Sequence, residues 1–194
     1  ILATELGKLG HRVHGIDLSP AMIGLARQRA EGVPGVAFAI GDMRRIESDE
    51  VYDLVVCAYD AINYLTDPDD LEIVLREVAC RLQAEGRFVF DSNTASHYET
   101  NSPFSREEEW NGETVSHTME YDSSARDVRI TFDFSDGTRE VHHQRPYDLG
   151  ELQGALLRAG LEIVETFSTP EGDELTPSMG RVLCIVSKGH MAPN

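Results

Sequence analysis

Two aspartates stand at the ends of short predicted strands, where a carboxylate can bind a nucleotide. Asp17 ends the first strand, and Ser19 and Pro20 then open a helix as its N-cap and first residue. At such a position the carboxylate accepts hydrogen bonds from both ribose hydroxyls. Asp42 follows the next strand, Val36–Ile40, and its carboxylate can accept a hydrogen bond from an adenine amino group. A turn or cap explains either acid alone, but two on consecutive strands favour a nucleotide site.

Other polar residues have the types needed for acid–base chemistry or for holding a substrate. Asp60 comes directly after an apolar strand over 51–59. Its carboxylate can hold an amine there, although a helix N-cap explains it nearly as well. His142 and His143 lie within a predicted strand over 138–147, so alternation puts them on opposite faces. For His142, catalysis and simple packing are equally good explanations at this point.

The spacing of apolar residues predicts the elements that carry these side chains. Helices and short strands alternate through the first half, which indicates an α/β fold with a parallel sheet and helices on both faces. The run Leu54-Val55-Val56 is typical of a strand buried on both faces. The predicted helices span 1–9, 20–29 and 68–82, and the predicted strands span 11–17, 36–40, 51–59 and 87–91.

The pattern changes in the middle of the chain. Over about 95–147, three segments alternate with period two, and Asp136-Gly137 stands between two of them, where a tight hairpin turn belongs. This block predicts an antiparallel insertion. Asp148 then caps another helix, and two last strands follow over 161–167 and 182–187.

Composition excludes several classes of partner. The 194 residues carry 34 Asp and Glu against 17 Lys and Arg, a formal charge of −17. Such a surface repels nucleic acid and anionic lipid. No apolar run is long enough for a transmembrane helix. The cysteines are widely spaced in apolar stretches, which indicates buried thiols of a cytoplasmic protein and no metal site; they are Cys57, Cys80 and Cys184.

Taken together, these motifs resemble those of the class I S-adenosylmethionine-dependent methyltransferases. Residues 17–19 with Met22 are similar to the ribose-binding motif of that family, and residues 41–43 are similar to its adenine-binding motif. Residues 53–57 resemble its fourth-strand motif, and residues 82–91 resemble its step into the fifth strand. S-adenosylmethionine is the cofactor that this resemblance implies.

The resemblance also implies a domain organisation. It predicts a Rossmann-like class I methyltransferase core over 1–94 and 148–188, with an antiparallel β insertion over 95–147 that forms a substrate lid after strand five. Residues 189–194 are interpreted as a tag or tail. The family's first strand and glycine-rich loop normally precede the helix at residue 1, so we expect the sequence to lack them.

Three stretches, 59–65, 91–94 and 142–147, are similar to a small-molecule subgroup that includes sugar N-methyltransferases. The residues that this resemblance places at the cofactor are Asp17, Leu18, Met22, Asp42, Met43, Cys57, Ala58, Tyr59 and Ile62. It makes His142, Asp60 and Tyr64 the catalytic candidates. Its substrate-binding candidates are Asn63, Asn93, Tyr98 and Arg145.

The function implied is S-adenosylmethionine-dependent methyl transfer to a nitrogen or oxygen of a small molecule. The partner is then a small-molecule acceptor, without nucleic acid or membrane, and a homodimer is compatible with this function. An NAD-dependent oxidoreductase is an alternative, because Asp17 alone fits both cofactors, and a swapped order of the last two strands would separate the two. A catalytically silent methyltransferase-like binding domain is the other alternative.

Overall fold

A computed structural model describes residues 1–110, 112–168 and 180–189. The chain divides into two compact units, Ile1–Glu50 and Val51–Asn194. No helix within the described residues is long and apolar enough to cross a membrane. The predicted tail, 189–194, lies outside the described residues except for Gly189, whose N–H donates to the Gly160 carbonyl (2.9 Å).

The first unit is a parallel strand pair with two helices. Asp17 lies opposite Ile40 at the ends of the two strands. Glycine permits close packing, because a Cβ on Gly7 would lie 2.2 Å from the Val36 side chain. The Ser19 hydroxyl caps the second helix by accepting the Met22 N–H (3.3 Å). The elements are α1 (Leu2–Lys8), β1 (Val13–Asp17), α2 (Pro20–Arg29) and β2 (Val36–Ile40).

The second unit contains a four-stranded sheet covered by helices. Its elements are β3 (Tyr52–Cys57), a 3₁₀ helix (Ala61–Tyr64), α3 (Pro68–Arg81), β4 (Leu82–Asn93), α4 (Ala95–Asn101), α5 (Leu149–Arg158), β9 (Leu161–Phe167) and β10 (Arg181–Lys188). The strand order is β3-β4-β10-β9. β3 runs parallel to β4, whereas β10 is antiparallel to both of its neighbours. The last two strands therefore have the swapped order.

A second sheet in this unit, here called the lid sheet, is an antiparallel meander in the order β5-β6-β7-β8. Its inner face packs on α4 through a cluster of Tyr98, Met119 and Val128. The predicted hairpin turn is confirmed, because Gly137 has a φ of 88° between β7 and β8. The four strands are β5 (Phe104–Trp110), β6 (Glu113–Asp122), β7 (Asp127–Phe134) and β8 (Arg139–Gln144).

The predicted fold class is confirmed, but two strands differ from their predictions and three elements, the 3₁₀ helix, α4 and β5, were not predicted. β4 begins at Leu82 and not at residue 87. The expectation that β3 is buried on both faces is wrong: Leu54 and Val56 are 46% and 38% exposed. Among the described residues, β3 is an edge strand of its sheet. α4 and β5 have no clear periodicity in the sequence. The domain boundaries at 94 and 148 stay predictions.

Candidate functional site

Asp17 terminates β1 with its carboxylate exposed. Its Oδ1 accepts the Ser19 N–H (2.8 Å), and its backbone carbonyl accepts the Gly41 N–H (3.0 Å). The second bond joins the ends of β1 and β2, so the two predicted strand-end motifs meet as expected. The accepting carboxylate fits a ribose diol.

Asp42 is held by Arg44 in the turn after β2. Its Oδ1 accepts the Arg44 N–H (2.9 Å), and its Oδ2 accepts from Nη2 of the same residue (2.6 Å). The hydrogen bond from the Arg44 side chain lowers the pKa of the Asp42 carboxyl. Asp42 is therefore a fixed anionic acceptor. Leu18 and Met22 are exposed apolar side chains of the same unit, which together with the two acids fit a nucleoside.

In the second unit the chain turns sharply after β3. Tyr59 and Asp60 both have left-handed backbones, with φ of 62° and 48°. The Asp60 N–H donates to Oδ2 of Asp91 (2.8 Å), a buried acid near the end of β4. The turn thus has a side-chain anchor on the neighbouring strand, and it leaves Tyr59 exposed.

The Asp60 carboxylate is half-buried and has partners from two further strands. Gln144 on β8 donates its amide N–H to Oδ2 of Asp60 (2.7 Å), and the Arg181 guanidinium on β10 lies 3.8 Å from Oδ1. Burial raises the pKa of Asp60, and the Gln144 hydrogen bond and the Arg181 charge partly offset that rise. Gln144 occupies Oδ2, whereas Oδ1 faces the positive charge of Arg181 and is the oxygen placed to meet a cation.

Tyr64 and His142 form a pair between the 3₁₀ helix and the lid sheet. The Tyr64 hydroxyl is 2.8 Å from Nδ1 of His142, and Nε2 of that ring is 3.5 Å from Oε2 of Glu140. Burial raises the pKa of Tyr64, and the negative charge of Asp60 adds to the rise. The tyrosine is 45% exposed, so its hydroxyl is accessible.

Asn63 is a structural clamp in this arrangement. It is 0% exposed, and its amide donates to the carbonyls of Asn93 (2.9 Å) and Arg145 (2.8 Å). Its Oδ1 accepts the Asn93 N–H (2.9 Å) and the Ser92 hydroxyl (3.3 Å). Every polar position of the amide is occupied by protein, which leaves none for a substrate.

The other predicted substrate residues are also engaged with protein. The buried Tyr98 hydroxyl donates to Oε1 of Gln144 (2.7 Å) and accepts from Asn93 (3.3 Å). Burial raises the pKa of Tyr98, so the hydroxyl stays neutral. Arg145 pairs with Glu151 (2.9 Å). These residues support the site by fixing Gln144 and β8.

The remaining predicted cofactor residues differ in accessibility. Ile62 is fully buried in the core, whereas Met43, Cys57 and Ala58 are half-buried. Burial and the Asp91 charge raise the pKa of Cys57 to about 12, so its thiol stays protonated at neutral pH and is not a nucleophile. Within the described ranges, no cluster of His, Cys, Asp and Glu has the form of a metal site.

Comparison with known proteins agrees with the strand order. Residues 1–86 match the family described as "Methyltransferase domain". These 86 residues are similar to that family, and they make up less than half of the chain. Its antiparallel β10, lying between β4 and β9, separates this fold from the all-parallel NAD-binding sheet, which removes the oxidoreductase alternative.

Two similar proteins align with most of the chain, and a third aligns with part of it. The putative methyltransferase YqeM of Bacillus subtilis is 26% identical over 175 residues, 84% of this chain and 69% of that protein. An S-adenosylmethionine-dependent methyltransferase from Clostridium acetobutylicum superposes with a TM-score of 0.79 at 21% identity, covering 92% of this chain and 76% of that one. A dTDP-4-amino-2,3,4,6-tetradeoxy-D-glucose N,N-dimethyltransferase of Saccharopolyspora spinosa is 35% identical over 80 residues, 41% of this chain and 31% of that protein.

The predicted resemblance and enzyme class are therefore confirmed over residues 1–86, which match a methyltransferase domain. The fold is that of S-adenosylmethionine-dependent methyltransferases of known structure. The roles of the individual site residues stay predictions. Asp91 and Arg181 were not among the predicted site residues. Each had a signal in the sequence: Asp91 is an acid near the end of an apolar strand, and Arg181 is an arginine that begins one.

Proposed function

We propose that the methyltransferase domain transfers a methyl group from S-adenosylmethionine to the nitrogen of a small-molecule amine. One observation carries this proposal: the accepting carboxylate of Asp60 and the Tyr64–His142 pair belong to one polar cluster. Strand β8 joins them, because Gln144 donates to Asp60 (2.7 Å) and His142, two residues earlier on the same face, lies 2.8 Å from the Tyr64 hydroxyl. A cation holder and a proton acceptor are the two groups that an amine acceptor requires.

The two units of the domain have different tasks in this proposal. Asp17 and Asp42 bind the hydroxyls and the adenine of the cofactor, with Leu18 and Met22 against its apolar surface. When bound, S-adenosylmethionine supplies an already activated methyl group. The protein therefore has to orient the acceptor and remove its proton, and orientation alone can contribute on the order of 7–11 kcal/mol.

Asp60 is assigned to the acceptor amine. Its Oδ2 is occupied by Gln144, so Oδ1 receives the ammonium group. An amine must lose a proton before its lone pair can attack, and the accessible Tyr64 hydroxyl leads to the imidazole of His142. His142 accepts the proton, and Glu140 stabilises the resulting charge across 3.5 Å.

The choice of nitrogen over oxygen has two sources of support. The first is the carboxylate of Asp60, which favours a cationic acceptor. The second is the name of the Saccharopolyspora spinosa relative, which is an N,N-dimethyltransferase of an amino sugar. A small amine as the partner and a cytoplasmic location are parts of the same proposal.

The decisive experiment is methyl transfer from labelled S-adenosylmethionine to matched amines and alcohols, with a protein that carries this chain. We expect turnover of amines, and Asp60→Asn should raise the KM for the amine at least tenfold with unchanged cofactor affinity. Asp127→Asn is the matched control, because Asp127 pairs with His143 on the exposed lid surface. Turnover of alcohols alone would refute the nitrogen assignment, and cofactor binding without any turnover would favour a silent domain.

A further inference from the structure

Asp91 is the buried acid on which the turn at Asp60 depends. It is 5% exposed, and its Oδ2 accepts both the Asp60 N–H (2.8 Å) and the Arg181 Nε–H (2.8 Å). Nη2 of Arg181 also contacts this oxygen. A buried carboxylate is costly unless it is paired, and here the pair lies directly beside the proposed acceptor site.

Arg181 touches both acids. The same Nη2 that contacts Asp91 lies 3.8 Å from Oδ1 of Asp60, and the arginine side chain is 44% exposed. Without Asp91, the guanidinium would have Asp60 as its nearest carboxylate and would compete there with a cationic acceptor. Asp91 holds the guanidinium of Arg181 against β4, 3.8 Å from Oδ1 of Asp60 and beyond hydrogen-bonding distance of it, so a cationic acceptor can make the closer contact.

We propose that Asp91 and Arg181 are positioning residues that together set the backbone turn and the local charge of Asp60 for amine binding. This inference rests on the proposed function, because it assigns the acceptor to Asp60. The pair contributes no atom to the reaction. Asp91 holds the left-handed turn through the Asp60 N–H, and Arg181 adds a positive charge that keeps Asp60 ionised in its half-buried position.

The charges around Asp60 make opposite contributions to its pKa. Arg181 and His97 favour the carboxylate, whereas Asp91 disfavours it. Asp60 and Tyr64 in turn disfavour ionisation of the Tyr98 hydroxyl. Within 1–110, 112–168 and 180–189, the titratable and charged groups that face Asp60 are Asp91 from β4, His97 and Tyr98 from α4, Tyr64 from the 3₁₀ helix and Arg181 from β10.

Two substitutions that break the same ion pair provide the test. Asp91→Asn keeps an oxygen for the Asp60 N–H but removes a negative charge and releases Arg181, so the pKa of Asp60 should fall. Arg181→Met removes a positive charge, so the pKa of Asp60 should rise. The acid limb of kcat/KM for the amine should move to lower pH in the first variant and to higher pH in the second. Loss of structure alone would move the acid limbs of both variants in the same direction, or would move neither of them.

The carboxyl signal of Asp60, followed by carbon NMR without substrate and assigned with Asp60→Asn, measures the same quantity independently of turnover. Arg181→Lys should restore the wild-type titration, and Arg158→Met, which breaks an exposed pair with Glu72, should leave it unchanged. Shifts of equal sign, or none, in Asp91→Asn and Arg181→Met would overturn the inference. Opposite shifts in the NMR titration with no change in amine kinetics would uphold the pair's effect and refute Asp60 as the acceptor site.

Discussion

Asp60 and Asn63 are three residues apart, yet their side chains have different tasks. All hydrogen-bonding positions of the Asn63 amide are used by protein groups, so it fixes the 3₁₀ helix against β4 and β8. Asp60 receives one amide hydrogen bond and keeps its second oxygen for other contacts. The difference follows from burial, because a fully buried amide must be satisfied internally whereas a half-buried acid can face a ligand.

Asn63→Ala should lower the free energy of unfolding by about 3 kcal/mol, because it removes the four hydrogen bonds that the buried amide makes with Ser92, Asn93 and Arg145. Chemical denaturation measures this change. The matched control is Asn101→Ala, since the Asn101 side chain donates to a single carbonyl on the exposed end of α4, that of His97. Its effect should stay within about 0.5 kcal/mol. Equal losses in the two variants would contradict the clamp role of Asn63.

His142→Gln should reduce kcat for an amine by about 10²- to 10⁴-fold, the usual contribution of a general base. The cofactor affinity, measured by calorimetry, should not change. His143→Gln is the control, because His143 is on the opposite face of β8 and pairs with Asp127. If the two variants lost kcat equally, the proton would leave by another route.

At the scale of elements, β8 determines how the lid sheet meets the site. Alternate residues of this strand, His142 and Gln144, reach Tyr64 and Asp60, respectively. The register of β8 on β7 places His142 opposite Ile130. A slip by one residue would turn both side chains to the outer face, so the hairpin turn between β7 and β8 matters for function.

Gly137→Ala should therefore destabilise the domain by about 1 kcal/mol, because φ at this position is 88°, which an alanine adopts only with strain. Gly154→Ala makes the same chemical change in the middle of α5, where the nearest added contact is the flexible Arg158 side chain (3.4 Å). The stability of that variant should be higher by about 0.5–1 kcal/mol. Thermal unfolding measures the two changes in stability, which should have opposite signs. A loss of stability in both variants would contradict the assignment to backbone strain.

At the scale of the whole molecule, burial is uneven along the chain. Of the described apolar side chains that are buried, only Ile23 and Ala30 belong to residues 1–50. β1 and β2 form a two-stranded sheet, whereas β4 and β10 each lie between two neighbours. A strand pair with little buried apolar surface is marginally stable by itself.

Amide hydrogen exchange should therefore be faster in β1 and β2 than in β4 and β10, because local opening of the first unit exposes little apolar surface. Peptide-resolved mass spectrometry of the native chain measures this difference. Peptides from the lid sheet are an internal control with a buried cluster of their own. Equal protection of the two sheets would mean that they open as one cooperative unit.

Local sequence patterns were enough to predict the order and type of most elements. Their periodicity is local: alternation predicted β6, β7 and β8, and Ser19-Pro20 predicted the start of α2. The strand-end acids Asp17 and Asp42 were also recognisable, because both stand at positions defined by neighbouring residues. The resemblance to methyltransferases was drawn from these short motifs.

Which polar side chains meet depends on the folded chain. Asp60, Asp91, Gln144 and Arg181 come from four segments separated by up to 121 positions, so no local pattern joins them. The tertiary contacts also showed that Asn63 and Tyr98 are saturated by protein groups, although their residue types suit substrate binding. Hydrogen-bond satisfaction depends on which groups burial brings together, and strand order and register set that only when the chain is folded.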